Sequence, residues 1–381
     1  MANETSLPGW VARWSASALL AWSCGAASAQ DIVIGQIAPI GVPSTPEAAL
    51  LNEGTRACVD QVNRQGGVKG RRLQFQATDD ELQPPLVEAK FKEAMARKPI
   101  ALVNVMGSAV LGTLLSTKAL DKNDVVIVGA VPGAEAFRNP GHPRLFHVRS
   151  GDGAQLERIL THSHTLGIQR LHVLYQDVGI GNSGLAVLQE GAKRRGDVTI
   201  TSSATTLDPD VIAEAVRQSM ASQAQAFVVI GFPHFMADAL KRLREAGAAQ
   251  AVFGLGYLTP AHAVKIAGVK NTRGLGLTQA IPNPNGKVLQ VQRDFQSAMR
   301  QAFPQVTEYS SFHLEGCMGV RVLVEGLKRV EGTPTPAALA RALHAMGEVD
   351  FGGFRVNFAN GQVGSVWSDI GVVSESGRLM F

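Results

Sequence analysis

The sequence predicts an α/β protein made of two similar lobes, each built on a parallel β-sheet. Short β-branched runs alternate with amphipathic segments of about 12–18 residues, the pattern of buried strands joined by crossover helices. These units fall into two series of comparable length, which favours two lobes over one large sheet. The length of 381 residues also exceeds that of a typical single domain.

The first series contains four strands and three helices. We predict strands at 32–37, 73–77, 100–105 and 125–128, and helices at 45–64, 85–96 and 111–120. The second series has the same character. We predict its strands at 171–175, 198–202, 227–230 and 252–254, and its helices at 181–195, 210–221 and 234–246.

After Leu277 the pattern changes to long helices followed by a short β-rich tail. We predict helices at 288–302, 310–330 and 336–346, and strands at 353–358 and 366–373. Because such a tail cannot bury itself, it must complete a lobe begun earlier, so the chain crosses between the lobes more than once. We therefore place residues 30–149 and 279–350 in the first lobe and residues 150–278 and 351–381 in the second. Such connections form a hinge, and a hinge implies a cleft that closes on a ligand.

The N-terminus has the pattern of an export signal. Arg13 supplies a positive charge, residues 15–26 form a short apolar stretch, and Ala27-Ser28-Ala29 is an A-x-A cleavage site. The stretch is shorter than the roughly 20 residues that span a bilayer. We expect residues 1–29 to be removed near Ala29 and the mature chain to act in the periplasm. The alternative is a disordered N-terminal tail.

Composition and charge restrict the partners. The chain is 45% hydrophobic and 18% charged, with a net charge of +4 and scattered cations, so no basic stripe predicts nucleic-acid binding. No later apolar run predicts a membrane span in the mature chain. Of the three cysteines, Cys24 leaves with the signal. We expect Cys58 and Cys317 to be buried free thiols, with a disulfide as the alternative in an oxidising compartment.

One glycine motif invites a nucleotide-binding interpretation. Residues 179–184 match G-x-G-x-x-G between a strand and a helix. Three residues separate the strand from Gly179, and the next strand carries no carboxylate for a ribose, so we favour a structural turn that turns a helix N-terminus toward the cleft. The sequence shows no catalytic or metal-ligand motif, and we expect neither an enzyme nor a bound cofactor.

Open α/β sheets bind ligands beyond the carboxyl ends of their strands. Small residues and glycines recur at those ends here. They include residues 105–108 and 129–133 in the first series and residues 175–177, 231–232 and 256–257 in the second.

At this point the chain resembles the periplasmic solute-binding proteins of branched-chain amino-acid ABC importers, the leucine/isoleucine/valine type. The resemblance covers about residues 31–381, and it depends on several segments together, each of which is modest alone. The segments that carry it, by order and spacing, are 31–40, 52–72, 78–84, 181–186, 314–327 and 351–358. It implies the type I periplasmic-binding fold, with two Rossmann-like lobes joined by a three-crossover hinge, a small solute between them, delivery to a membrane permease, and no catalysis.

The resemblance also carries the ligand-binding positions onto this chain. The first lobe would contribute the ends of two strands, and the second lobe would contribute an aromatic residue and an acid. The candidate ligand-binding residues are Met106, Gly107, Ser108, Val131, Pro132, Gly133, Asp177, Ile180, Phe232, Gly256 and Tyr257.

The pocket departs from the amino-acid pattern at several of these positions. Ser108 keeps a hydroxyl, but Pro132 has no N–H to donate. The acid that would pair with an ammonium falls at Gly256-Tyr257, where no carboxylate stands. An unpaired buried ammonium costs several kcal/mol. We therefore expect an aromatic or aliphatic carboxylate or an amide, unless Asp177 or another acid takes over the role.

Two other classes of function remain open on the sequence. One is a regulatory clamshell that senses a small amide or acid and signals to a protein partner. The other is a nucleotide-dependent enzyme built on the G-x-G-x-x-G loop.

Overall fold

The computed structural model describes Met1 and residues 30–381. The predicted export signal, residues 1–29, therefore lies almost wholly outside the described residues. Among the described residues, no helix is both long and apolar enough to cross a membrane.

The first lobe is built on a five-stranded parallel sheet. Its strands are β1 (Ile32–Ala38), β2 (Leu73–Asp79), β3 (Ala101–Val103), β4 (Val126–Val128) and β5 (Leu145–Phe146), in the order β2-β1-β3-β4-β5. The helices that alternate with them are α1 (Pro46–Arg64), α2 (Val87–Met95), α3 (Ser108–Ser116) and α4 (Ala119–Lys122). Two separate cores, one on each face of the sheet, explain why the strands β3, β4 and β5 are apolar throughout.

The second lobe repeats this arrangement. Its parallel strands are β6 (Arg170–Gln176), β7 (Thr199–Thr205), β8 (Ala226–Ile230), β9 (Ala251–Gly254) and β10 (Leu275–Gln279), in the order β7-β6-β8-β9-β10. Its helices are α5 (Asp152–Thr165), α6 (Gly179–Arg195), α7 (Pro209–Ala221), α8 (Pro233–Glu245) and α9 (Pro260–Thr272).

The chain then returns to the first lobe. The helices α10 (Gln290–Ala302), α11 (Ser311–Arg329) and α12 (Pro336–His344) are followed by a two-stranded antiparallel sheet of β11 (Glu348–Asp350) and β12 (Arg355–Asn357). Of the last strands, β13 (Asp369–Val373) pairs antiparallel with β10, and β14 (Leu379–Met380) pairs antiparallel with β13 at the edge of the second sheet. The tail therefore completes a lobe begun earlier, and the connections after β5, β10 and β12 make three crossings.

The segment from Phe351 to Phe358 corrects the predicted lobe assignment. We placed residue 351 onward in the second lobe, but Phe351, Phe354 and Phe358 are buried in the core of the first. The ring of Phe358 meets that of Phe146 at 5.1 Å between centroids. The helix α12, which precedes this segment, packs against α11 and β4, so the chain is still in the first lobe when it reaches Phe351. We propose that the third crossing lies between Gly364 and β13.

A disulfide joins Cys58 of α1 to Cys317 of α11, so the expectation of two free thiols was wrong. The two helices lie side by side, and their cysteine Cα atoms are 5.2 Å apart, within the range that a disulfide requires. The sequence separation of 259 residues gave no indication of this proximity.

Most predicted strands and helices lie within a few residues of their observed bounds, but six of the elements described above were not predicted: β5, β10, β11, β14, α5 and α9. The strands β5 and β10 are two and five residues long, respectively, and each is held in its sheet by pairing with a neighbouring strand. The helices α5 and α9 carry polar residues on much of their surface. Short or weakly patterned elements of this kind are specified by the packing around them.

Candidate functional site: the cleft between the lobes

The carboxyl ends of the strands of both sheets lead to one cleft between the lobes. Apolar contact continues across its inner end, because Leu51, Val131 and Phe312 of the first lobe belong to the core of the second. The predicted site residues divide into two groups. One lines the outer, open part of the cleft, and the other is buried where the lobes meet.

The outer group on the first lobe follows β3. Met106 is half-buried and packs against the core of the second lobe. Gly107 has a φ of 122°, a conformation that favours glycine, and it allows Ser108 to begin α3 with an exposed side chain. The Asp80 carboxyl lies beside Gly107, and burial raises its pKa.

The outer group on the second lobe follows β6 and β8. Asp177 is exposed, and its Oδ1 accepts a hydrogen bond from Asn182 Nδ2 at 3.0 Å. Ile180 is half-buried at the start of α6. Phe232 leaves 52% of its surface exposed, while its backbone N–H donates to Gln176 Oε1 at 3.0 Å.

The inner group comes from the ends of β4 and β9. Val131, Pro132 and Gly133 are buried, and a Cβ at Gly133 would overlap Asp152 and Tyr257. Gly256 is also buried, and its N–H donates to Thr278 Oγ1 at 2.9 Å. The structure thus brings Gly133 and Tyr257 together, and these two belong to opposite lobes.

Tyr257 is tied into a buried charged cluster that the sequence did not reveal. Its hydroxyl donates to Asp152 Oδ1 at 2.5 Å, and the Arg149 guanidinium lies over its ring, 4.6 Å from the centroid. Arg149 Nη1 in turn lies 3.5 Å from Glu315 Oε1 on α11. Arg138 donates to the carbonyl oxygens of Gly133 and Arg149. The cluster therefore joins the first crossing to both lobes.

Burial dominates the electrostatics of this cluster. It raises the pKa of the carboxyl groups of Asp152 and Glu315, against the opposing effect of the nearby guanidinium groups. It also raises the pKa of the Tyr257 hydroxyl and lowers that of Arg138. Burial acts to lower the pKa of Arg149 as well, but Glu315 and the other nearby acidic groups outweigh it and the pKa is raised. Two cations facing two acids make a cluster that can balance its own charge.

A second polar connection between the lobes is made by Glu47, which the sequence analysis also missed. Glu47 lies in the first turn of α1 and is fully buried. Its Oε1 accepts from Thr259 Oγ1 at 3.0 Å and lies 2.9 Å from His262 Nδ1, both in the second lobe. No motif marks Glu47, since a glutamate in the first turn of a helix is ordinarily a solvated residue.

The G-x-G-x-x-G segment has a structural explanation at two of its glycines. A Cβ at Gly181 would overlap the carbonyl oxygen of Gln176, and one at Gly184 would press on Ile230. Gly179 has open space around it. Gly181 and Gly184 thus allow α6 to pack closely on β6 and β8. The described residues also contain no cluster of histidine, cysteine, aspartate and glutamate suited to a metal ion.

Two lobes with matching strand order, joined by three crossings and opposed across a cleft, define a clamshell ligand-binding protein. A family model described as periplasmic binding protein matches residues 31–373. The chain therefore belongs to the periplasmic binding protein family, and its fold is that of the type 1 periplasmic binding protein from Bordetella pertussis, to which it is 14% identical with a TM-score of 0.78 over 92% of this chain and 99% of that structure. Members of the family bind solutes, which agrees with the predicted class of function.

Relatives agree with this assignment. An extracellular ligand-binding receptor from Verminephrobacter eiseniae is 42% identical, with a TM-score of 0.88 over 92% of this chain and 100% of that structure. A substrate-binding periplasmic protein from Ralstonia solanacearum is 26% identical, with a TM-score of 0.82 over 92% and 99%. The Leu/Ile/Val-binding protein homolog 3 of Brucella melitensis is 24% identical over 335 residues, 86% of this chain and 88% of its own length.

Proposed function

We propose that this chain is the exported solute receptor of an ABC importer and that its lobes close on a small ligand. The observation that carries the proposal is the cleft itself, where the carboxyl ends of two sets of five parallel strands, matched in order, face each other. Open α/β sheets bind their ligands in the crevice beyond the carboxyl ends of their strands. The partner would be a membrane permease, and the chain would reach the periplasm after cleavage near Ala29.

The lining of the cleft supports a preferred class of ligand. Phe232 and Met106 offer apolar surface, and Ser108 offers a hydroxyl at the start of a helix. No acid stands at Gly256-Tyr257, and the Tyr257 hydroxyl is already engaged by Asp152. We propose an aromatic or aliphatic carboxylic acid or amide. The name of the Brucella relative makes leucine, isoleucine and valine the alternatives to test.

A thermal-shift screen of residues 30–381 tests the proposal. The panel contains branched-chain amino acids, aromatic and aliphatic acids, their amides, and nucleotides. A ligand that binds only the folded state adds about 2.7 kcal/mol of stability at a hundredfold excess over its Kd. We expect shifts with acids or amides. A shift with leucine alone would contradict the ligand class but not the receptor, and a shift with nucleotides alone would contradict the receptor.

A further inference from the structure

Only one of the two carboxylate oxygens of Glu47 has hydrogen-bond partners among residues 30–381. Its Oε1 takes the contacts from Thr259 and His262, whereas its Oε2 is buried without a hydrogen-bond partner among residues 30–381. A buried carboxylate oxygen without a donor is costly, and native proteins seldom leave one in that state. The pair of contacts on Oε1 does not satisfy Oε2, so the present partners explain only half of this group.

The position of Glu47 connects this free oxygen to the cleft. α1 begins at the carboxyl end of β1, and the Thr259–His262 segment begins α9 after the carboxyl end of β9. Both ends lie on the sheet edges that face each other. Glu47 therefore extends from the first lobe to a point just beyond Gly256-Tyr257, the place where the second lobe lacks an acid.

The other acids near the cleft are less suited to a ligand. Asp152 accepts from the Tyr257 hydroxyl, and Asp177 is exposed and accepts from Asn182. Asp80 accepts from the backbone N–H of Leu82 and lies beside Gly107, both in the first lobe. Glu47 combines full burial, a contact with the opposite lobe and a free oxygen.

The groups around Glu47 hold the carboxylate in place. Thr259 caps α9 by accepting from the His262 N–H at 3.3 Å, and it donates its own hydroxyl proton to Glu47. Thr259 and His262 are 4% and 5% exposed, so neither is free to move into solvent. The carboxylate is thus fixed from the second lobe before any solute arrives, an arrangement that lowers the cost of ordering on binding.

We propose that Glu47 is a specificity-determining residue whose Oε2 accepts a hydrogen bond from an N–H group of the solute. This rests on the proposed solute-receptor function and narrows it. Among apolar solutes of one shape, the receptor would prefer the amide, or an ammonium-bearing form, over the matching carboxylate, because a second carboxylate beside Glu47 has no proton to donate.

Calorimetric titration of matched pairs tests this inference. The probes are phenylacetamide against phenylacetate and 4-methylpentanamide against 4-methylpentanoate, with leucine as the ammonium-bearing probe. In the wild type we expect the amide or leucine to bind at least tenfold more tightly than the acid. Glu47→Gln places an amide there that can donate to a carboxylate, so the preference should fall at least tenfold or reverse.

Two further variants make the result specific. Glu53→Gln removes an acid from the same helix, one that contacts His313 within the first lobe at 3.1 Å, and it should leave the amide-to-acid ratio unchanged. Glu47→Asp keeps the charge but shortens the side chain, and it should weaken amide binding without improving acid binding. This variant replaces Glu47→Gln if the latter does not fold.

The outcomes separate this inference from the function on which it rests. If solutes bind but the ratio in Glu47→Gln or Glu47→Asp stays within twofold of the wild type, Glu47 has only a structural role and the inference is wrong. A wild type that prefers the acid also overturns it. If no solute of any class binds the wild type, the receptor function itself is contradicted.

Discussion

Phe232 shows how a single residue can report closure of the cleft. It exposes 52% of its surface at the end of β8, although it is a large apolar side chain. Lobe closure on a solute would bury that remaining half, a gain of about 0.8–1.6 kcal/mol, since complete burial of a phenylalanine contributes about 1.5–3 kcal/mol.

Phe232→Ala is therefore expected to weaken solute binding by about 4–15-fold, measured by calorimetry. Leu166→Ala is the matched control. Leu166 is 56% exposed but lies at the far end of α5, away from the cleft, so its loss should leave the affinity unchanged. Equal affinities for wild type and Phe232→Ala would remove Phe232 from the site.

His147 predicts a pH dependence of stability. It is buried beside Arg138, its Nε2 lies 3.1 Å from the Phe137 carbonyl oxygen, and its pKa is lowered from 6.5 to about 3, chiefly by burial. Because the unfolded chain binds this proton more readily than the folded chain, stability is fully present above pH 6.5. It is lost as the pH falls from 6.5 toward 3, by about 1.4 kcal/mol per pH unit for this group.

We expect His147→Asn to flatten the fall in unfolding free energy between pH 6.5 and pH 4, as measured by urea titration. The slope is compared, because the substitution itself alters stability at every pH. His234→Gln, at an exposed histidine, should keep the wild-type slope. Burial also lowers the pKa of His172 to about 4, so part of the pH dependence of the unfolding free energy should remain in His147→Asn. A His147→Asn slope equal to that of the wild type would contradict the account.

At the scale of elements, the pairing of α1 with α11 holds the first lobe together. Besides the disulfide, Asn104 Nδ2 donates to Thr55 Oγ1 at 2.8 Å and to the Gly316 carbonyl at 2.7 Å, so that the end of β3 is tied to both helices. α1 also carries Glu47 into the cleft. The helix α1 thus carries one cysteine of the disulfide and also contacts the second lobe through Glu47.

Removing the disulfide by Cys58→Ser with Cys317→Ser should lower the unfolding free energy by about 2–5 kcal/mol, because both sulfur atoms are buried and the bridge closes a long loop of the unfolded chain. Urea unfolding measures the loss. Thiol titration of denatured residues 30–381 without reductant should find no free thiol. Two free thiols would show that the bridge does not form.

The G-x-G-x-x-G segment provides a matched pair within one element. Gly181→Ala should destabilise the protein by about 1–3 kcal/mol, because the new methyl group overlaps the Gln176 carbonyl oxygen. Gly179→Ala meets nothing within 4 Å and should be neutral or slightly stabilising. Equal unfolding free energies for the two variants would mean that these glycines are not there for packing.

The sequence predicts those features of the fold that depend on local residue patterns, and it does not predict those that depend on contacts between distant parts of the chain. The strand β8 is a continuous apolar run, β1 is interrupted by a polar side chain only at Gln36, and α11 repeats its apolar residues at helical spacing, so local pattern is sufficient. The site depends on distance in space. Arg149 and Glu315 are 166 positions apart in the chain, and no local sequence pattern around either residue predicts their ion pair. Phe351 joined the first lobe because of the path of α12, which no local pattern encodes.

At the scale of the whole molecule, two buried polar connections between the lobes lie at the inner end of the cleft. Glu47 with Thr259, and Arg149 with Tyr257 and Glu315, connect the lobes near the three crossings. Ser108 and Phe232, at the outer part, remain exposed. A rigid inner end and an open outer end are the arrangement that lets two lobes rotate about a hinge.

Small-angle X-ray scattering of residues 30–381, with and without a solute that raises the thermal stability, tests the central claim most directly. If the lobes close on their ligand, the radius of gyration should decrease on saturation, and the decrease should follow the same binding curve as calorimetry. A solute that binds and stabilises the protein while the radius of gyration stays constant would contradict closure of the cleft and indicate a preformed site within one lobe.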